Sequence, residues 1–182
     1  MPDFTKIPNL EYLDLSGCAS LSHVHQSIGV LKRLEELNLQ KCTRFKSLPN
    51  FTGISNLQFL NLSNCASYCV SLKSLPLDMT GLESFEQLTL SKCKELENFP
   101  KILGMTSLKV LQWDHTLLEE FPPFSSLSGL YGLSFDCCSR VEEFPDDLSG
   151  LKHIKWFHAY YTAITKLPSP SLLLKKSKRY RF

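Results

Sequence analysis

The feature that most constrains this chain is a nine-residue unit, LxxLxLxxC, that recurs along almost all of it. Five copies that end in cysteine begin at Leu10, Leu34, Leu57, Phe85 and Leu130. Two copies that carry threonine in place of the cysteine begin at Leu108 and Ile154. Successive starts lie 24, 23, 28, 23, 22 and 24 residues apart. Self-similarity at such a period predicts a repeat solenoid, in which each repeat contacts only its neighbours.

The alternation inside the unit predicts where its side chains lie. Successive side chains of an extended strand point to opposite sides. The leucines therefore point into each coil, and stacking of the next coil buries them. We expect an α/β solenoid of about seven leucine-rich repeats, with a curved parallel β-sheet on the concave face and short helical or irregular segments on the convex face. The predicted strands cover residues 12–16, 36–40, 59–63, 87–91, 110–114, 132–136 and 156–160.

A second pattern follows each strand except the first. An apolar residue and a proline recur, as in Leu48-Pro49 and Phe144-Pro145, and proline stops regular strand pairing. Apolar residues three positions apart come next, and this spacing predicts brief 3₁₀ turns on the outer side. The third repeat carries four extra residues between 66 and 71, which predict an outward bulge, either a plain loop or a binding element.

The chain has seven cysteines, and the positions of most of them follow the repeat. Five of them occupy one turn position and should be buried and reduced, with the thiol facing backbone carbonyls: Cys18, Cys42, Cys65, Cys93 and Cys138. Spacings near 24 residues resemble no zinc motif, and an odd count disfavours a fully paired secreted framework. The cysteines therefore predict a reducing, intracellular setting. Cys69 and Cys137 lie off this ladder as candidate surface thiols.

Charge and domain boundaries add further expectations. Twenty Lys+Arg balance 18 Asp+Glu, which argues against nucleic-acid or membrane partners. No signal peptide or membrane-spanning stretch is visible. The repeats occupy residues 1–168, with the first and last incomplete, because residues 2–10 align with residues 49–57. Residues 169–182 form a basic tail that we expect to be irregular, either a nuclear import signal or a solvated end.

The sequence contains no catalytic motif, and it predicts binding without chemistry. It lacks a Gly-rich phosphate loop, GxSxG, HExxH and CxxC, so neither an enzyme nor a cofactor or metal site is expected. The last repeat gathers aromatic side chains on the concave face, and such residues are frequent at interaction hot spots. Alternatively, these rings cover the end of the sheet. The candidate protein-binding residues are Trp156, His158, Tyr160, Tyr161, Tyr12, Phe59, Gln112 and Asp114.

Several segments resemble a known family. Residues 2–18, residues 21–29 and the threonine-type stretches 116–122 and 162–168 are similar to the leucine-rich-repeat region of plant TIR–NB–LRR disease-resistance proteins, of the tobacco mosaic virus resistance protein N type. The resemblance implies an intracellular immune receptor, which we expect in the cytoplasm, and also in the nucleus if the basic tail is an import signal. Its partners would be a pathogen effector or a guarded host protein, and the receptor's own nucleotide-binding domain, which the repeats would restrain. A free-standing or truncated repeat scaffold, an adaptor or a decoy, is the alternative.

Overall fold

The computed structural model describes residues 3–51, 53–67, 70–76, 79, 81–99, 102, 105–166 and 179–181. Ten strands lie in these residues, numbered β1 to β10 along the chain. Eight of them pair in parallel as one sheet, and seven of these eight come one from each repeat: β1 (Tyr12–Asp14), β2 (Glu36–Asn38), β3 (Phe59–Asn61), β6 (Gln87–Thr89), β7 (Val110–Gln112), β8 (Gly132–Ser134) and β9 (Trp156–His158). The predicted parallel solenoid is confirmed.

Each strand begins at the predicted residue and ends two residues earlier than predicted. The chain still donates one bond beyond the strand, as from Leu15 N to Asn38 O at 2.8 Å. It then turns at a residue with positive φ, between +54° and +72°, in every repeat: Gly17, Lys41, Asn64, Lys92, His115, Cys137 and Tyr161. In the first six repeats the turn residue donates its N–H to the following coil, as from Gly17 to Gln40 O at 2.7 Å. This turn shortens the strand.

The cysteine ladder follows immediately after these turns. Each buried thiol donates to a backbone carbonyl of the preceding coil, as from Cys65 to Leu39 O and from Cys93 to Leu62 O, both at 3.0 Å. Cys42 and Cys138 do the same, and all four are buried and free, as predicted. For Cys18 the prediction of burial is wrong: the thiol is exposed, because no described coil precedes the first one to cover it. Cys69 lies outside the described residues.

The core is continuous from coil to coil. The strand-centre residues share one line through the sheet, where Leu13 pairs with Leu37, and Leu37 with Leu60. From the fourth repeat onward the core becomes aromatic. Trp113 occupies a leucine position of the unit, with its ring centroid 4.9 Å from that of Phe99 and 5.2 Å from that of Phe135. Such contacts add to the stability that the buried area provides.

Within the described ranges, the outer side carries four short 3₁₀ helices, as the spacing predicted: η1 (Phe4–Lys6), η2 (Gln26–Val30), η3 (Phe124–Ser126) and η4 (Ser149–His153). Helix η1 packs against η2, and η3 against η4, so these pairs continue the stacking of the coils. Side chains cap the first two helices, because Asp3 accepts from Thr5 N and His25 from Ser27 N.

Two segments differ from the plain repeat. The extra residues of the third repeat include an antiparallel pair, β4 (Ala66–Ser67) and β5 (Val70–Ser71), which forms a sheet separate from the main one. The described part of the basic tail, β10 (Arg179–Arg181), pairs in parallel with β9, where the sequence analysis expected irregular chain.

Candidate functional site

The aromatic residues of the last repeat lie together at and just beyond β9. Trp156 and His158 flank the buried Phe157, and their rings lie 5.3 Å apart on the concave face, both half-buried. Tyr160 is half-buried, and its ring centroid lies 6.1 Å from that of Tyr161. Tyr161 occupies the positive-φ turn position and is 83% exposed. The structure thus gives two ring pairs, Trp156 with His158 and Tyr160 with Tyr161, that follow one another along the chain, and we call these four predicted residues the aromatic cluster.

Gly132 explains why Trp156 is only half exposed. The two residues are partners in the pairing of β8 with β9. A Cβ atom on Gly132 would lie 2.1 Å from the Trp156 ring, so the indole lies directly over the glycine. Sequence reasoning missed this role of Gly132. A glycine in register with a tryptophan on the next strand was the available signal.

A chain of hydrogen bonds leads from the middle of the sheet to the cluster. Asp114 accepts from Ser91 Oγ at 3.0 Å, from Ser134 Oγ, and from Asp136 N at 2.9 Å. Asp136 in turn accepts from Tyr160 N at 2.6 Å. Asp114 was predicted to contact a partner directly. Its carboxylate is engaged within the fold, where it orders the turns that carry Asp136 and Tyr160, while Gln112 beside it is half-buried.

Tyr12 and Phe59 lie far from the aromatic cluster. Six strand spacings of about 4.8 Å separate β1 from β9, a distance of roughly 30 Å. Tyr12 is 60% and Phe59 36% exposed, and Glu36 lies between them in register. The Tyr12 hydroxyl donates to Glu35 Oε2 at 3.3 Å. The predicted site residues therefore spread along one face, with Tyr12 and Phe59 toward one end, Gln112 and Asp114 in the middle, and the aromatic cluster toward the other end.

The lysines near the aromatic cluster already have partners. Lys109 Nζ lies 2.5 Å from Glu86 Oε1, and Lys155 Nζ lies 5.2 Å from the centre of the Tyr131 ring. These side chains line a shallow groove at the margin of the concave face. Glu86 thus pairs with the charge of Lys109, whereas Lys155 keeps its positive charge beside an uncharged ring.

The described residues contain neither a membrane-spanning helix nor a cluster of metal-binding side chains. None of their helices is both long enough and apolar enough to cross a membrane. No group of three or more His, Cys, Asp or Glu side chains in the described ranges is arranged to hold a metal ion.

Comparison with known proteins shows which proteins this chain is similar to. No protein-family model matches the chain. TMV resistance protein N of Nicotiana glutinosa is 31% identical over 202 residues, which cover 96% of this chain and 15% of that protein. Disease resistance protein RPP5 of Arabidopsis thaliana is 38% identical over 185 residues, which cover 92% of this chain and 13% of that protein. The chain is a leucine-rich-repeat relative of the plant disease-resistance proteins.

This relationship confirms the resemblance seen in the sequence. It concerns a small part of each relative, because the chain spans 15% and 13% of their lengths. The activities and partners of the whole resistance proteins are therefore not transferred by similarity alone.

Solved structures support the fold. The functional domain of InlJ from Listeria monocytogenes, described as including a cysteine ladder, matches 97% of this chain and 40% of its own, with a TM-score of 0.65 and 18% identity. The leucine-rich-repeat ectodomain of the receptor kinase GASSHO1/SCHENGEN3 from Arabidopsis thaliana matches 87% of this chain and 19% of its own, with a TM-score of 0.66 and 23% identity. At these identities the likeness concerns the fold only.

Proposed function

We propose that this chain is the protein-recognition region of an intracellular plant immune receptor. In this role the repeats bind a pathogen effector, or a host protein that the effector modifies, and restrain the receptor's nucleotide-binding switch until that contact forms. The similarity to plant disease-resistance proteins over more than nine tenths of the chain supports the receptor. The aromatic cluster of Trp156, His158, Tyr160 and Tyr161 is the surface that we propose makes this contact.

The aromatic cluster suits protein recognition for a physical reason. Trp and Tyr offer large amphipathic surfaces with few rotatable bonds, so little conformational entropy is lost when a partner immobilises them. Trp156 is held over Gly132, and the backbone of Tyr160 is held by Asp136. A partner would meet rings that are largely preorganised.

The proposal is tested in the full-length gene product that contains this chain, expressed in leaves. Trp156→Ala and Tyr160→Ala are compared with wild type for cell death with and without pathogen challenge. If the cluster contacts an effector or guarded protein, the substitutions abolish the triggered response. If it contacts the switch domain, they cause cell death without challenge. Lys152→Ala, an exposed change on η4, is the matched control and should behave as wild type.

The outcomes separate the site from the function. Unchanged responses in both aromatic variants, at normal protein levels, would exclude the aromatic cluster as the contact. A wild-type full-length product that gives no resistance response and no cell death, even when overexpressed, would contradict the receptor function itself.

A further inference from the structure

The opposite end of the concave face has a different chemistry. Tyr12, Glu36 and Phe59 stand at equivalent positions of β1, β2 and β3, so a carboxylate lies between two rings. Asp14 lies on β1, Glu11 immediately precedes β1, and Glu35 immediately precedes β2. We call these six residues the acidic aromatic face. Tyr12 and Phe59 are two of the five large apolar side chains that stand out as exposed among the described residues.

No ion pair compensates the charge of this face within the described part of the chain, because no described lysine or arginine pairs with Glu11, Asp14, Glu35 or Glu36. The concave-face positions of β1, β2 and β3 hold no lysine or arginine. The neighbouring bases lie at the margin of this face: Lys32 and Arg33 precede β2, and Lys41 lies in the turn after it. The Glu35 carboxylate, through its charge and its hydrogen bond from the Tyr12 hydroxyl, raises the pKa of Tyr12, and the charges of Glu11 and Glu36 act in the same direction. By contrast, Glu86 on the next repeat is paired with Lys109.

We infer that the acidic aromatic face docks an arginine- or lysine-rich segment of a partner protein. A cation placed beside Glu36 would contact carboxylate and aromatic faces together, since rings and carboxylates both attract cations. Such a segment complements the charge of the face, whereas nucleic acids and anionic lipids carry phosphates that it repels. The inference adds a partner chemistry to the proposed recognition function, but it depends on different residues from the aromatic cluster.

The probe is a synthetic decapeptide of alternating arginine and glycine, titrated into the isotope-labelled 182-residue chain and followed by amide NMR shifts. A decapeptide of alternating glutamate and glycine is the charge-reversed control. We expect shifts from the arginine peptide in residues 11–16, 35–40 and 58–63. The apparent Kd should rise with salt, because exposed charges are screened beyond about 10 Å at 0.1 M ionic strength.

Variants separate the contributions of ring and charge. Tyr12→Ala and Glu36→Gln should each weaken binding of the arginine peptide about threefold to fivefold, the size expected for exposed cation–π contacts and ion pairs. Tyr12→Phe keeps the ring and should bind like wild type. Glu142→Gln with Glu143→Gln removes two exposed carboxylates on another part of the surface and should leave binding unchanged.

The inference is overturned if the peptide shifts other residues instead, if the glutamate peptide binds equally, or if Tyr12→Ala and Glu36→Gln bind like wild type. Trp156→Ala should retain binding of the probe. This binding assay involves no immune response, so failure of the receptor function and failure of the acidic aromatic face give distinguishable results.

Discussion

At the scale of single residues, two adjacent positions close every coil. The first has positive φ, which costs most residues about 1–2 kcal/mol and glycine almost nothing. The second carries a thiol or hydroxyl; a buried thiol there donates to a backbone carbonyl of the coil before. Six of the seven turn residues with positive φ are not glycine. The hydrogen bonds between coils therefore hold the backbone there in a conformation that it would otherwise avoid.

Comparing alanine substitutions at Gly17 and Gly81 measures the conformational energy of the left-handed turn. A Cβ atom would meet nothing within 4 Å at either residue, but only Gly17 has a positive φ, of +72°. We expect Gly17→Ala to lower the free energy of unfolding by about 1 kcal/mol. Gly81→Ala should be neutral or raise it by about 0.5 kcal/mol, because alanine restricts the unfolded chain. Urea unfolding measures both, and equal effects would contradict a conformational cause.

Cys93 tests the hydrogen bond of the ladder. Threonine stands at the same turn position in two other repeats, and valine has nearly the same shape without the hydroxyl. Cys93→Thr places a hydroxyl donor where the thiol meets Leu62 O, whereas Cys93→Val leaves that carbonyl with its backbone donor, Cys65 N, alone. We expect the valine variant to be less stable than the threonine variant by about 1–2 kcal/mol in urea unfolding. Equal stabilities would mean that the thiol only fills space.

Cys93 also predicts a pH dependence. Burial raises its pKa from 9.0 to about 12. The unfolded chain therefore releases this proton near pH 9 while the folded chain keeps it. The corresponding stability is complete below pH 9 and is lost as the pH rises toward 12. Cys93→Thr should lose less stability than wild type between pH 8 and pH 10, by about 1 kcal/mol. Urea unfolding at the two pH values measures this difference. If wild type and Cys93→Thr lose the same free energy of unfolding between them, this assignment is contradicted.

At the scale of elements, the sheet is built from strands of only three residues. Such strands are stabilised mainly by their neighbours, through parallel pairing and through side chains that reach across to the next strand. The contact of Trp156 on β9 with Gly132 on β8 is an example on the concave face, and it also sets the geometry of the aromatic cluster.

Gly132→Ala tests that contact without removing the ring. The new methyl group would occupy the position of the indole, so Trp156 should swing toward water while the strands stay paired. The chain has two tryptophans, and Trp113 is fully buried, so a change in exposure is assigned to Trp156. We expect a red-shifted fluorescence emission with little change in circular dichroism. An unshifted spectrum would show that the indole does not depend on the glycine.

At the scale of the whole molecule, stability is shared between neighbouring coils. Leu60 is fully buried on β3, and Leu60→Ala should lower the free energy of unfolding by about 2–5 kcal/mol. Because each repeat contacts mainly its neighbours, the loss of hydrogen-exchange protection should centre on the second to fourth repeats. Leu133→Ala, the same position on β8, should move that centre to the fifth to seventh repeats. Uniform loss in both variants would indicate one cooperative core.

The strand boundaries show which parts of the fold can be predicted from the repeat alone. All seven strands of the repeat were placed correctly at their first residue, because the side chains of LxxLxL must alternate between core and surface. The ends of the strands were not, because the turn depends on hydrogen bonds to the following coil, such as that from Lys41 N to Ser63 O. The exposure of Cys18 was missed for a related reason, since burial of the thiol requires the coil before.

The repeated unit alone therefore predicts the parallel solenoid, its register and the ladder, because each follows from one unit repeated at a fixed position. Which concave-face side chains act together depends instead on how the folded coils stack. This stacking lays Trp156 on Gly132, engages Asp114 in ordering the turns that lead to Tyr160, and separates Tyr12 and Phe59 from the aromatic cluster by most of the length of the sheet. These relations join residues of different repeats. They depend on the stacking distance between coils and on the particular side chains that meet there, and neither is encoded within a single repeat.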